Sequence, residues 1–366
     1  MANAERIRFR PFKVTAKIRE SETITSFHLK PTNPSYWTPF EAGQFLTIRV
    51  PDKNSDGFVL RNYTVSSSPE DVGFYRITVK REGARQPDHA DGLSSCWLHD
   101  CIEEGALVEI DGPRGAFKLD RSTQRPVVLL SGGVGMTPMV SMLRQLSADK
   151  NRRVSFIHAC DHGGVHALHG EVAALIAAND MMQVHYCYRF PRIEDKANGH
   201  FHSEGVLTKA GLQALLPLDD YDFYLCGPRP FMQAIYDYLR EMGVSDQRIA
   251  YEFFGPASLL KAGGHVTEHA QIAPVQKMAG SGEHKIHLQR SQRDLIWDND
   301  AVSLLDFLEA NGIEPEFSCR AGICGSCEKR LISGEVCYFE EPLDEPAHDK
   351  VLLCCARPSS SIVLDL

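Results

Sequence analysis

The sequence predicts a multidomain chain in three successive parts: a small antiparallel β-barrel, an α/β domain on a parallel sheet, and a compact α+β domain. Three observations carry this reading. Short β-branched runs separated by turn residues fill the first part, apolar strands alternating with helical periodicity fill the second, and six of the eleven cysteines crowd between Cys319 and Cys355. A chain of 366 residues with 43% apolar and 24% charged content has room for two or three such domains. The expected boundaries are 10–122, 123–257, a linker over 258–283, and 284–366.

In the first part, Phe45 to Val50 and Tyr75 to Lys80 are strand-like, and Glu41-Ala42-Gly43, Asp56-Gly57 and Gly112-Pro113 punctuate them as turns. The second part opens with the strand Val127-Val128-Leu129-Leu130. Met139, Met142, Leu143 and Leu146 then fall on one helical face. Further strands at Val154–His158 and Phe223–Leu225 continue the alternation, which implies a parallel sheet. Ser258 to Glu283 is rich in Gly, Ala, His and Lys with no apolar period and reads as a flexible linker. The third part begins as a hairpin over Lys285–Trp297, followed by a helix over about Leu304–Ala310. Ser303 and Asp306 are spaced as a capping box, and Gly312 sits where a helix-terminating glycine belongs.

Composition narrows the function. A formal charge of −9 opposes a nucleic-acid-binding stripe. No apolar stretch reaches bilayer length, and Met1 to Val14 carries Arg6, Arg8, Arg10 and Lys13 without an apolar segment behind them, so a cytoplasmic protein without a leader is expected. Thiols stay reduced there, and crowded cysteines read as metal ligands. His158, His162, His166 and His169 lack the Cys or acid partners of a metal site and are expected at the surface and at a helix start.

Ser318 to Cys327 contains Cys319, Cys324 and Cys327 in the spacing C-x4-C-x2-C, that of a plant-type 2Fe-2S cluster. One loop must wrap three thiolates, and Gly322 and Gly325 supply the close backbone approach and the N–H groups aimed at sulfur. A structural zinc site would instead call for two separated C-x2-C pairs. Leu353-Cys354-Cys355-Ala356-Arg357-Pro358 resembles the ferredoxin ending C-x-A-x-P. The stretch Lys285–Leu366 thus resembles the plant-type ferredoxin family, which implies a β-grasp fold, one-electron transfer and Cys354 as fourth ligand. Cys337 is at the wrong distance and is expected to pack against Tyr338 and Phe339.

Arg61-Asn62-Tyr63-Thr64-Val65-Ser66-Ser67 offers a flat phenol, a hydroxyl and a guanidinium fork on one strand, residue types suited to a flavin and its pyrophosphate. The segment resembles the R-x-Y-[ST]-x-x-S motif of the ferredoxin–NADP reductase superfamily. Phe40–Phe45, Ile77–Glu82, Gly92–Asp100 and Gly112–Phe117 follow in the order of the reductase half of flavohaemoglobins. The resemblance implies FAD, with Arg61, Asn62, Tyr63, Thr64, Thr78, Lys80, Gly92, Ser94 and Ser95 around it and Thr64 beside the reacting flavin nitrogen.

Ser131-Gly132-Gly133-Val134-Gly135-Met136-Thr137-Pro138 joins a strand to a helix. Such a junction points amides and a positive dipole end at a pyrophosphate, with Thr137 expected as N-cap and Pro138 as first helical residue. Cys226-Gly227-Pro228 is similar to the motif beside the nicotinamide in this superfamily. Glu252 and Phe254, in Tyr251–Pro256, resemble the residues that approach the isoalloxazine in flavohaemoglobins. Asp161 follows the second strand where an acid hydrogen-bonds a ribose 2′-hydroxyl. It would repel a 2′-phosphate by up to about 4 kcal/mol per charge pair at ~4 Å, so NADH is expected.

The domain order resembles the reductase components of Rieske-type oxygenases that demethylate quaternary amines such as glycine betaine, and also the reductase of the hybrid-cluster protein. It implies an oxidoreductase passing electrons from NADH through FAD and a 2Fe-2S cluster to a separately encoded acceptor. A plant-type cluster lies near about −400 mV and a Rieske centre between about −150 and +300 mV, a fall of at least about 250 mV. That is on the order of four decades in the electron's equilibrium. The expected linker would tether the ferredoxin domain between loading and discharge. A non-catalytic redox sensor is the reading of a different class, disfavoured because no output domain follows the cluster motif. A flavohaemoglobin is disfavoured because no globin segment precedes Arg10.

Overall fold

A computed structural model describes residues 9–51, 58–83, 92–115, 117–253, 284–298, 301, 303–313, 315, 317, 322, 327–339, 342 and 346–366. The chain divides into two compact units, Met1–Glu252 and Phe253–Leu366.

The first unit opens with strands β1 (Arg10–Arg19), β2 (Ile24–Pro31), β3 (Phe45–Pro51), β4 (Phe58–Thr64) and β5 (Tyr75–Lys80), then helix α1 (Leu93–Cys101) and strand β6 (Leu107–Arg114). They pair in the order β4-β3-β6-β1-β2-β5, all antiparallel. The bridge Val65–Ile77 and the bond from Ser66 N to Arg76 O, 2.7 Å, join the two outer strands and close the barrel. Phe12, Phe27, Leu46, Ile48, Tyr75 and Ile77 fill it.

The same unit continues with β7 (Val127–Gly132), α2 (Met136–Leu146), β8 (Val154–Cys160), α3 (His169–Ala177), β9 (Met182–Tyr188), α4 (Ile193–Asn198), β10 (Ser203–Glu204), α5 (Lys209–Leu215), β11 (Asp222–Cys226), α6 (Arg229–Glu241) and β12 (Ile249–Glu252). The sheet order is β10-β9-β8-β7-β11-β12, parallel throughout. Every residue of β7 is buried, which is why it reads as an unbroken apolar run. Leu129 and Leu130, fully buried, each contribute about 1.5–3 kcal/mol. The core does not stop at the barrel: Ala42, Phe117 and Leu119 pack into the cluster that contains Leu129, Met142 and Phe156. Helix α2 begins at Met136, two residues earlier than expected, because the tight turn Gly133–Gly135 runs straight into it. Thr137 therefore lies inside the helix and donates to Val134 O at 3.2 Å instead of capping, and Pro138 is the third helical residue.

The second unit contains β13 (Lys285–Leu288), β14 (Arg293–Ile296), α7 (Leu304–Ala310), β15 (Glu328–Ser333), β16 (Val336–Tyr338), β17 (Lys350–Leu352), β18 (Ala356–Pro358) and β19 (Ile362–Leu364). A mixed sheet, β14-β13-β19-β15-β17, packs against α7 through Ile286, Leu288, Leu304, Leu308, Ile362 and Leu364. Ser303 Oγ accepts from Asp306 N at 3.1 Å and donates to its carboxylate at 2.7 Å, so the expected cap is present, and Gly312 has φ +73°. Cys337 lies exposed on β16, contrary to the expectation that it packs, because the strand turns its side chain outward. The expected linker lies outside the described residues. No helix among the described residues is long and apolar enough to cross a membrane.

The histidine expectation is corrected. His158 is 1% exposed and His166 5%. His158 pairs in register with Ser131 of the adjoining strand, with Nδ1 2.8 Å from Ser131 Oγ, while His166 Nδ1 lies 2.8 Å from Tyr188 OH. The two imidazoles meet at 4.6 Å between ring centres, tilted by 35°. His169 does open α3. Burial pushes His158 from 6.5 down to about 3. The unfolded chain therefore takes up a proton that the folded chain refuses, and this contribution to stability, complete above about 6.5, is lost as pH falls toward about 3. Thermal unfolding of His158→Asn should show a shallower loss of melting temperature between about pH 7 and about pH 5 than the unaltered protein; parallel curves would contradict the buried neutral imidazole.

Candidate active site

Strand β4 positions the flavin motif. Tyr63 OH lies 2.8 Å from Ser94 Oγ, which ties the strand to the start of α1. Burial pushes the Tyr63 phenol up to about 12, against the lowering pull of Ser94 and Arg61, so it stays a neutral hydroxyl. Asn62 Oδ1 accepts from Thr47 Oγ1 at 3.0 Å, and Arg61 Nη1 donates to Leu60 O at 2.8 Å. Thr64 is 4% exposed, and its Oγ1 is buried with no hydrogen-bond partner among the described residues. An orphaned buried hydroxyl costs about 1–3 kcal/mol, and a bound ring nitrogen at that position would remove the penalty. The strand thus fits a flavin.

Other expected flavin residues turn elsewhere. Thr78 Oγ1 sits 2.8 Å from both Ser26 Oγ and Ser66 Oγ inside the barrel, and Lys80 pairs with Glu82 at 3.1 Å. At the start of α1, Ser95 Oγ accepts from Glu82 N at 3.1 Å and donates to Gly92 O at 3.3 Å. A Cβ on Gly92 would stand 2.8 Å from Glu82 O, so only glycine lets this loop close on the helix. Gly92, at the N-cap, brings no side chain of its own to the first amides of the helix, a terminus suited to an anionic group.

The two dinucleotide motifs interlock. A Cβ on Gly135 would lie 2.3 Å from Cys226 O, and one on Gly227 would lie 2.9 Å from Gly132 N. Gly132 packs against Pro228 and Phe231, while Gly133, at φ +54°, faces open space where a pyrophosphate can approach. The N-terminus of α2, likewise without a side-chain cap, opens on that turn. Cys226 is fully buried and pairs in register with Glu252. Burial, reinforced by the Glu252 charge, raises its thiol well above the usual range, so Cys226 can pack against a ring but not attack it. Phe254 lies outside the described residues.

Asp161 follows β8 as expected, but it is not alone. Arg189 Nη2 lies 2.9 Å from its carboxylate, and Phe190 N donates to Asp161 O at 2.7 Å. Nothing in the local sequence around Asp161 marks Arg189, which directly follows β9. Cys160 and Tyr188 are register partners, so one residue further along each parallel strand places Asp161 opposite Arg189. The strand order was the signal that could have found it.

In the second unit Cys327 and Cys354 are buried, and Gly322, at φ +64°, donates its amide to Cys354 Sγ at 3.3 Å. Such an N–H···S bond suits a thiolate that ligates a cluster. Cys355 Sγ instead donates to Leu352 O at 3.7 Å and fills the space a Gly322 side chain would need, 2.9 Å away. Cys319 and Cys324 lie outside the described residues. Among the described residues no three His, Cys, Asp or Glu side chains are arranged to hold a metal.

Three family models match this chain in order: an oxidoreductase FAD-binding domain over residues 11–119, an oxidoreductase NAD-binding domain over 129–237, and a 2Fe-2S iron-sulfur cluster binding domain over 286–359. The flavohemoprotein of Halalkalibacterium halodurans is 42% identical over 255 residues, 69% of this chain and 61% of its own length. The chain thus spans about 61% of that relative. The flavohem-like FAD/NAD binding domain of nitric oxide dioxygenase from Vibrio cholerae is 36% identical with a TM-score of 0.60, over 68% of this chain and 99% of that one. Phthalate dioxygenase reductase, 24% identical with a TM-score of 0.56, shares the fold over 98% of both chains. The chain belongs to the ferredoxin–NADP reductase family of flavoproteins, with a 2Fe-2S ferredoxin domain following the reductase domains. Its three parts are an oxidoreductase FAD-binding domain, an oxidoreductase NAD-binding domain and a 2Fe-2S cluster binding domain.

The adjacent cysteines are separable by experiment. Cys354→Ser should abolish the visible spectrum of the cluster, whereas Cys355→Ser should retain it with altered stability. The reverse pattern would move the ligand by one residue.

Proposed function

We propose that this protein is an NADH-dependent reductase that delivers electrons singly to a separately encoded Rieske-type oxygenase, one that demethylates a quaternary amine such as glycine betaine. The observation that carries this is the whole-chain likeness to phthalate dioxygenase reductase, described as a modular structure for electron transfer from pyridine nucleotides to a 2Fe-2S centre. When bound, FAD accepts a hydride from the nicotinamide, and the cluster carries the electrons onward one at a time.

The chain's own residues prepare that exchange. Thr64 offers the unpartnered hydroxyl to the flavin edge, and Tyr63, held by Ser94, offers a ring face. Arg61, Asn62 and the uncapped start of α1 at Gly92, Ser94 and Ser95 are the donors for the rest of FAD, with Lys80 at the rim and Thr78 bracing the strand from inside. Gly132, Gly133 and Gly135, with Thr137 and Pro138 in the first turn of α2, admit the dinucleotide pyrophosphate. Cys226, Gly227 and Pro228 pack beside the nicotinamide, with Glu252 and Phe254 at the flavin. Asp161 takes the ribose hydroxyls and disfavours a 2′-phosphate, its ion pair with Arg189 fixing its orientation. Cys319, Cys324, Cys327 and Cys354 hold the cluster.

The test mixes purified full-length protein with a candidate Rieske oxygenase or the hybrid-cluster protein, and follows consumption of NADH or NADPH coupled to product. Coupling to the oxygenase with NADH preferred by more than about tenfold, or roughly 1.4 kcal/mol, is expected. Coupling to the hybrid-cluster protein alone would refute the acceptor, and equal use of NADPH would refute the role of Asp161.

A further inference from the structure

We infer that Arg76 and Glu171 are positioning residues for hydride delivery: a buried fork that locks the dinucleotide-binding half of the first unit onto the strand carrying the flavin motif. Arg76, on β5, is 7% exposed. Its guanidinium donates from Nη1 to Glu171 Oε2 at 2.5 Å and from Nη2 to Glu171 Oε1 at 3.0 Å, a two-point grip on helix α3. The same guanidinium turns its other edge to the flavin motif, with Nε on Ser66 Oγ at 3.1 Å and Nη2 on Ser66 O at 2.5 Å.

The connections repeat at the next two residues. Ser67 O accepts from Ser141 Oγ of α2 at 2.8 Å. Ser68 N donates to Asp71 Oδ2 at 3.0 Å, and that carboxylate receives Arg144 Nη2 of α2 at 3.1 Å. Arg144 Nη1 closes the lattice on Glu171 Oε1 at 2.8 Å. Ser66 and Ser67, the last two residues of the flavin motif, and Ser68 beside them are therefore bonded, directly or through one side chain, to the two helices of the dinucleotide half. Helix α2 starts at the pyrophosphate-binding turn, and α3 follows β8, the strand after which Asp161 lies.

A buried ion pair contributes little net stability, because desolvation offsets most of its attraction. What the lattice supplies is direction. A planar guanidinium with fixed donors permits one arrangement of its two carriers, where an apolar patch would let them slide. Burial alone would raise the Glu171 carboxyl, but the bonds and charges of Arg76 and Arg144 outweigh it, so the group stays ionised. Thr64 lies two residues before Ser66, and the nicotinamide turn begins at the end of β7. A slip of about 1 Å between them is enough to lower a transfer rate by about 100-fold. The exposed pair Glu22–Arg192 also joins the barrel to the dinucleotide half, but with both side chains 45% exposed it is screened by solvent and provides the control.

The test uses full-length FAD-loaded protein carrying Glu171→Gln, Arg76→Lys or, as control, Glu22→Gln. Measurements are FAD content, the dissociation constant for NADH, the limiting rate of anaerobic flavin reduction with ordinary and deuterated NADH, and hydrogen exchange over residues 64–68 and α2. The two clamp variants should keep FAD and NADH affinity, lose about 10- to 100-fold in limiting rate with a larger isotope effect, and exchange faster at Ser66–Ser68. Glu22→Gln should change none of these. Clamp variants that hold FAD and reduce it at the unaltered rate would overturn the inference, as would an equal loss in Glu22→Gln. Should both lose FAD, Arg144→Lys, which removes the guanidinium that bridges Asp71 and Glu171 and leaves the Arg76 fork, should slow reduction by about three- to tenfold, and an unaltered rate there would overturn it equally.

Discussion

The approach of Gly135 to the backbone of Cys226 sets the geometry on which the reductase unit depends. With a side chain's first carbon this contact would shrink to 2.3 Å, an overlap no local adjustment absorbs in a packed sheet. Because it is glycine, the turn after β7 can lie against the end of β11. The dinucleotide turn, the Cys226-Gly227-Pro228 turn and Glu252 then share one edge of the sheet. Helix α2 leaves that turn in the direction that brings Ser141 to Ser67, so the flavin strand is placed by the same constraint.

Much of this was legible because the signals are local. The strand Tyr75–Lys80 and the helix Leu304–Ala310 have the expected bounds, since a β-branched and aromatic run and a capped apolar stripe are properties of a few neighbouring residues. The convergence of the glycine turn with Cys226 followed from a parallel strand order. What escaped was of two kinds. The start of α2 shifted because a tight glycine turn can flow into a helix without a side-chain cap. His158 and His166 were buried through hydroxyl partners 27 and 22 residues away, and a periodicity of polar residues cannot announce such partners.

The same limit explains the ion pairs. Arg76 and Glu171 stand 95 residues apart, and nothing in either local sequence marks them as partners. Arg189 opposite Asp161 follows from the register of two adjacent strands, in which Cys160 faces Tyr188. In the ferredoxin unit the adjacent thiols of Cys354 and Cys355 became distinguishable only once one was seen to accept the Gly322 amide and the other to donate to Leu352. Sequence spacing proposes ligands, and hydrogen-bond direction separates them.

The proposed electron transfer rests on a division of labour: one unit would bring the dinucleotide to the flavin, and the other, with its own core built on Ile286, Leu308 and Leu364, would hold the cluster. The most direct measurement is anaerobic titration of Cys319→Ser with NADH, followed by flavin absorbance and by reduction of an added one-electron acceptor protein. The division predicts a variant without cluster signal whose flavin is reduced at the unaltered rate while delivery to the acceptor protein is lost. Loss of flavin reduction together with the cluster would contradict it.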